Sequence, residues 1–310
     1  MKKNFIAMTN FSNGEDPAIY EAILDTARNV EGVSLVSYEP EAGFNRTVVN
    51  MVGEAEALEG MLINMTRKTM ELVDMEHQKG SHPRIGAMDT ISIYPTQDSS
   101  VEDVHAYIKA LGKTLFDELG LPIYFSGASA SSEARKDHTL LRKGGYEGLR
   151  DLLLEIKDDP SKAEEYAVRK PEYSTDGLLH KTAGGTMLFA VEEVPSHHNV
   201  FLSTEDVSIA KKIAKTIRAS SGGLAQVTAI GMKFAERKEA VVSFNVKDTR
   251  KTGINIPFEM IKREAEKHGV SVVGSEVVGI VRLAPLIESV MDTLQLENFD
   301  LSHIIDMHLM

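Results

Sequence analysis

The segment Gly80-Ser81-His82-Pro83-Arg84-Ile85-Gly86 places an imidazole and a guanidinium two residues apart in a stretch punctuated by glycine and proline. Imidazole has an ordinary pKa of about 6.5, so His82 can take a proton from an attacking nucleophile and return one to a leaving group near neutrality. Arg84 offers a planar fork that grips a carboxylate. Residue types alone leave two interpretations open: a proton-transfer site, or a hydrogen-bonded loop histidine beside a surface arginine. The pair His197-His198 has no Asp, Glu or Cys at ligand spacing, and neighbours in an extended chain point to opposite faces, so no metal is expected there. Gly222 and Gly223 follow a helical stretch and read as its cap, not as a phosphate cradle.

A loop histidine acts only if the flanking elements hold it. The segment lies between a predicted helix over 54–75, with apolar positions Leu58, Met61, Leu62 and Met65, and a strand at 90–94. Upstream, Phe5-Ile6-Ala7-Met8 reads as a strand, 16–29 as a helix, and Val33–Tyr38 and Thr47–Val52 as alternating strands. The order β-α-β-β-α-β is the split ferredoxin-like arrangement. A helix at 101–119 and a strand at 122–126 extend it. The second half repeats the order: strand 199–202, helix 205–219, strands 225–233 and 239–246, helix 257–268, strand 271–277. The expected fold is α+β, two tandem ferredoxin-like subdomains divided as residues 1–180 and 181–310. Residues 156–185, rich in charge, proline and glycine, are expected to connect them across a groove.

Composition narrows the function classes. The absence of cysteine removes disulfides, thiolate metal sites and thiol nucleophiles. With 42% hydrophobic residues in 310, the chain has material for two cores. A net charge of −12 repels phosphate backbones, so no nucleic-acid partner is expected. The start of the chain is too short in apolar residues for a signal sequence and no run suits a membrane span, which makes the cytoplasm the expected location.

The run His82-Pro83-Arg84-Ile85-Gly86-Ala87-Met88-Asp89 resembles the signature of the formiminotransferase family. Other matching pieces follow in order: Asn10-Phe11-Ser12 with Gly14, Asn45-Arg46-Thr47-Val48, Leu121-Pro122-Ile123-Tyr124, Arg142-Lys143-Gly144 with Tyr146-Glu147-Gly148, and Val273 through Gly279. Together they span nearly the whole chain. The resemblance implies transfer of a formimino group between tetrahydrofolate, carried as 5-formiminotetrahydrofolate, and the amino group of glutamate, with folate in a groove between the subdomains. It implies no metal, a small amino acid as the other substrate, and a homodimer. His82 matches the family's catalytic histidine. Asn10, Arg46, Arg84 and Asp89 fall in the matched pieces as substrate or folate contacts, and the family's folate-contacting stretch corresponds to Glu172–Gly184, with Tyr173, His180, Lys181, Thr182 and Gly184 as its candidate residues.

The chain departs from the family at three places. Acidic residues common in the first strand and just before the catalytic histidine are replaced by Ile6 and Ser81. The family's Val-Gly-Ala-Arg run gives way to Gly185 through Glu193, which leaves an expected arginine without a counterpart. The sequence therefore resembles a divergent member, with no cyclodeaminase domain expected after Asp300. Glycine or another amino acid as acceptor, or folate binding without turnover, are the alternative readings.

Overall fold

In the computed structural model, which describes residues 2–234 and 237–305, the chain divides into two units, Met1–Glu192 and Glu193–Met310. The first begins with β1 (Asn4–Phe11), whose alternate residues Phe5, Ala7, Thr9 and Phe11 are buried. Asp16 accepts from Ala18 N at 2.9 Å and Pro17 presets the first turn, which starts α1 (Pro17–Leu24). Then come β2 (Val33–Glu41), β3 (Arg46–Glu54), α2 (Ala55–Leu72), β4 (Met88–Pro95), α3 (Val101–Leu119) and β5 (Ile123–Gly127). A reciprocal Ser100–Asp103 capping box opens α3.

Three short helices follow, α4 (His138–Arg142), α5 (Gly145–Ile156) and α6 (Ala163–Arg169), before β6 (Thr186–Ala190). The sheet order is β2-β3-β1-β4-β6-β5, antiparallel from β2 to β4 and parallel from β4 to β5. One face packs on the helices through Leu58, Met61, Leu62 and Met65 of α2 and Val104, Ile108, Leu111 and Leu115 of α3. Each such side chain contributes about 1.5–3 kcal/mol by leaving water. Around β5 and β6 a second cluster joins Tyr124 and Met187 to Leu141, Leu149 and Leu153 of α4 and α5.

The expected division at 180/181 is corrected by β6. Its Thr186–Ala190 backbone pairs in parallel with both β4 and β5, so the first unit runs to Glu192. The expected connecting segment 156–185 is likewise part of that unit: Tyr166, Leu178 and Leu179 pack on Tyr124, Leu149 and Leu153.

The second unit holds β7 (Ser196–Leu202), α7 (Val207–Ile217), β8 (Val227–Lys233), β9 (Ala240–Val246), α8 (Asn255–Lys267), β10 (Val272–Val278) and α9 (Leu283–Leu294). Its four strands are antiparallel in the order β10-β7-β9-β8. Val200, Val242 and Phe244 pack against Ala210, Ile213, Ile217 and Ile261 of α7 and α8. The molecule is thus α+β with two sheets. No helix among the described residues is long and apolar enough to cross a membrane.

His197 and His198 diverge as the strand alternation requires. His197 Nδ1 meets Asn245 Oδ1 at 2.7 Å, while His198 stacks on Phe244 at 5.0 Å and its Nε2 meets Ser196 Oγ at 2.7 Å. Burial, reinforced by the nearby His197, lowers the His198 pKa to about 4. An unfolded histidine titrates near 6.5, so between these values the unfolded chain binds more protons than the folded one. His198 therefore leaves stability undiminished above about pH 6.5 and lowers it progressively towards pH 4, by at most roughly 3 kcal/mol at about 1.36 kcal/mol per pKa unit. Denaturant titrations at several pH values should show this slope, and His198→Phe should flatten it. An equal slope in both proteins would contradict the assignment.

Candidate active site

The His82 loop leaves α2 and enters β4, and four sets of contacts hold it. Ile85 is fully buried among Tyr124, Leu141 and Leu149. Ala87 N donates to Ala183 O at 2.8 Å and Gly185 N to Ile85 O at 3.1 Å, which brings Gly86 against Gly184. A Cβ on Gly86 would lie 2.1 Å from Gly185 O, so only glycine permits this approach. Ser12, just past β1, donates from its hydroxyl to Gly86 O at 2.7 Å and from its N–H to Ala87 O at 2.7 Å.

The fourth anchor is Arg84, which spends four of its five N–H donors inside the protein. Nε donates to Gln78 Oε1 at 2.6 Å and Nη2 to Gln78 O at 2.9 Å. Nη1 and Nη2 grip Glu147 at 3.0 and 2.9 Å in the two-point fork expected for a carboxylate. The carboxylate that Arg84 holds is thus one supplied by α5, and the side chain serves as a brace for the loop. Arg84→Ala should then cost about 1–3 kcal/mol of stability through the lost charge-assisted bonds and leave KM for carboxylate substrates nearly unchanged. The solvent-accessible Glu147 can rehydrate, which limits the loss. A tenfold rise in KM at unchanged stability would return Arg84 to substrate binding.

His82 itself lies with Nε2 3.3 Å from Asp89 Oδ2, its side chain 10% exposed. Asp89, the second residue of β4, is almost fully buried. Its Oδ1 accepts from Ile85 N at 2.8 Å, and Oδ2 also accepts from Nη2 of Arg142 at the end of α4. Burial alone pushes the Asp89 carboxyl up. The Arg142 charge, then the His82 and Ile85 hydrogen bonds, more than offset this and hold it below the usual carboxylate range. A permanent carboxylate thus orients the imidazole by one nitrogen, and among the described residues the other, Nδ1, has no hydrogen-bond partner. This is the base-plus-orienting-acid arrangement of proton-transfer sites.

The sequence matches the formiminotransferase domain, N-terminal subdomain, over residues 5–191 and the formiminotransferase domain over residues 197–303. The chain belongs to the formiminotransferase family. It is 34% identical to a glutamate formimidoyltransferase of Streptococcus pyogenes serotype M1 across the full length of both chains. A glutamate formimidoyltransferase of Thermoplasma acidophilum is 30% identical over 96% of this chain and 94% of its own. The formimidoyltransferase-cyclodeaminase of Sus scrofa is 31% identical over 90% of this chain, a stretch equal to 50% of the pig protein. Membership makes the chain an enzyme that transfers one-carbon groups.

In this family member the acid that orients His82 is Asp89. Ser81 instead donates its hydroxyl to Gly43 O at 2.9 Å, and Ile6 faces Tyr94 across the β1–β4 pair. The guanidinium beside the site comes from Arg142. Both Arg142 and Glu147 lie in matched pieces of sequence, but nothing in their spacing from residues 84 and 89 signals contact.

The other expected site residues divide into two groups. Asn10 lies on the face of β1 away from the helices, and its Oδ1 is buried without a partner among the described residues. Asn50 on β3 shares that face and has an Oδ1 in the same condition. Gly184 and the backbone of Thr182 frame the loop, with Met75 N donating to Thr182 O at 2.7 Å. The remainder are engaged elsewhere. Tyr173 stacks on Phe116 and meets Phe125 edge-on, each at 5.9 Å, and packs half-buried against the core. His180 Nδ1 accepts from Ala183 N at 3.0 Å and caps its own turn. Lys181 is exposed and its carbonyl accepts from the Tyr146 hydroxyl, while Arg46 pairs with Glu41 at 2.6 Å.

Proposed function

We propose that this formiminotransferase moves a formimino group between tetrahydrofolate and the amino group of glutamate, with His82 as the general acid–base. The observation that carries the reading is an imidazole held by the permanent carboxylate of Asp89 at one nitrogen with the other nitrogen free. An attacking nitrogen must lose a proton as it bonds to the formimino carbon, and the departing nitrogen must gain one. Nδ1 of a neutral imidazole does both in turn, and Asp89 stabilises the imidazolium formed between the two steps. The relatives named above support glutamate as the amino acid.

Tetrahydrofolate fits the groups present. The buried acceptors Asn10 Oδ1 and Asn50 Oδ1 each lack a donor, and an unmet buried acceptor costs about 1–3 kcal/mol. The N–H-rich edge of a pterin would satisfy them. We read each unit as a ferredoxin-like βαββαβ subdomain, a reading supported by the strand orders β2-β3-β1-β4 and β8-β9-β7-β10. The purified chain, given N-formiminoglutamate and tetrahydrofolate, should release glutamate and form 5-formiminotetrahydrofolate. Absence of both products overturns the proposal.

A further inference from the structure

The anchors at Arg84 through Ala87 hold the His82 loop on its far side. On the near side, residues 78–81, the loop rests on the turn that joins β2 to β3. Ser81 donates from its hydroxyl to Gly43 O at 2.9 Å, and Gln78 Nε2 donates to Asn45 O at 3.1 Å. Gly80 lies so close to the turn that a Cβ there would collide with Phe44 O. The turn is itself shaped by Asn45, whose N–H donates to Ala42 O at 3.1 Å. Its φ of +50° is left-handed, a conformation that asparagine adopts more readily than most residues.

Asn45 is buried, and both ends of its amide are used. Oδ1 accepts from Gly14 N at 3.0 Å and from Glu15 N at 3.2 Å, while Nδ2 donates to Lys79 O at 2.6 Å. Because N–H donors face one end and a carbonyl faces the other, the amide has a single orientation. Gly14 and Glu15 follow Ser12, which holds Gly86 O and Ala87 O behind His82. The links close a ring: Ser12 grips the chain after His82, Asn45 grips it before, and Asn45 joins the two grips. Thr47 adds a parallel tie by donating from Oγ1 to Asn13 O at 2.6 Å.

His82 stands inside that ring, and its bond to Asp89 depends on where the ring holds it. At 3.3 Å the separation of Nε2 from Oδ2 is already at the long end for a nitrogen–oxygen hydrogen bond, so a displacement of about 0.5 Å breaks it. Asp89 cannot follow such a movement, because Ile85 N and Arg142 fix its oxygens. No other side chain keeps all three bonds of the Asn45 amide. A carboxylate has acceptors and no donor, serine falls short, and glutamine carries its amide one methylene further out. We propose that Asn45 is a positioning residue for the reaction: its amide sets where the imidazole stands against Asp89 and so governs kcat through His82, an inference that rests on the reading of His82 as the general acid–base.

Asn45→Gly keeps the left-handed turn and removes the amide. In it kcat should fall roughly 10- to 100-fold, the cost of misplacing a reacting group by about an ångström, with KM for tetrahydrofolate and N-formiminoglutamate within about threefold. Asn45→Asp keeps the acceptor for Gly14 and Glu15 and loses the donor to Lys79, so it should melt nearer the wild type than Asn45→Gly yet lose kcat to the same order. It carries the test if Asn45→Gly fails to fold. In a His82→Ala background neither change should lower the residual rate further, because the group that Asn45 positions is gone. Full kcat in Asn45→Asp, a loss confined to KM, or an equal loss in the His82→Ala background overturns the proposal. NMR of the histidine ring nitrogens reads the positioning without turnover. The His82 signal, identified by its absence in His82→Ala, should shift in both Asn45 variants while the His198 signal of the second unit stays unchanged. This arm separates the proposal from the activity: a wild type that transfers nothing removes the formimino-transfer reading, whereas a shifted His82 signal still supports the positioning. A His82 signal unmoved in both variants refutes it.

Discussion

His82→Ala should lower kcat by roughly 10²- to 10⁴-fold while folate affinity changes little. The magnitude follows from the role. A proton-transfer group is needed as charge develops on the two nitrogens and contributes little to holding either ground state, so its loss appears in kcat and not in binding. The geometry strengthens the case for a small structural effect, because the imidazole makes one hydrogen bond, at 3.3 Å, and none of the backbone pairings that shape the loop depend on it. The variant should therefore melt close to the wild type. Steady-state rates at saturating folate, with binding measured separately, check both halves of the expectation. A folded variant that keeps nearly full kcat removes His82 from the chemistry, and neither His180, which caps its own turn, nor His198, which is stacked on Phe244, is placed to replace it.

The contrast between His82 and its neighbours shows what a sequence can and cannot reveal about this site. Periodicity exposed the elements whose sequence alternates, such as β2 through Val33–Tyr38 and the apolar stripe of α2, because one face of each is more exposed than the other. It was silent about β6, where Thr186–Ala190 is sandwiched between β4 and β5 and reads as an unbroken apolar run. That omission set the expected boundary at residue 180 and made an internal segment look like a linker. At the site, residue type pointed to His82 because few side chains titrate near neutrality. Arg84 and Tyr173 are ambiguous in the sequence for the converse reason: a guanidinium or an aromatic ring serves structure and ligand equally well, and only the fold shows their contacts with Glu147 and Phe116. Arg142 reaches Asp89 across 53 residues of chain, a contact set by the packing of α4 on the loop and unmarked by any spacing rule.

Asp89→Ala should be the most destructive single change at the site, with a loss of about 3–5 kcal/mol of stability, the cost of removing one partner from a buried charge pair. Three groups lose their acceptor at once: the Arg142 guanidinium, the Ile85 N–H and the His82 ring. Arg142 bears most of the cost because its side chain is 16% exposed and its charge cannot be neutralised by losing a proton. Asp89→Asn separates folding from catalysis. The amide oxygen can still accept from Ile85 N, so stability should fall less, but the negative charge that favours the imidazolium is gone and kcat should drop by at least about tenfold. Acid provides an independent check. The folded Asp89 pKa lies below its unfolded value near 3.8, so its contribution to stability is complete above that value and is lost as pH falls through the lower, folded one. The wild type should lose that increment under acid, and Asp89→Asn should not. Combining Asp89→Asn with His82→Ala should cost little more kcat than His82→Ala alone, since an orienting carboxylate has no work once its imidazole is removed. Full kcat in Asp89→Asn, or strictly additive losses in the double variant, would show that Asp89 acts on stability and not through His82.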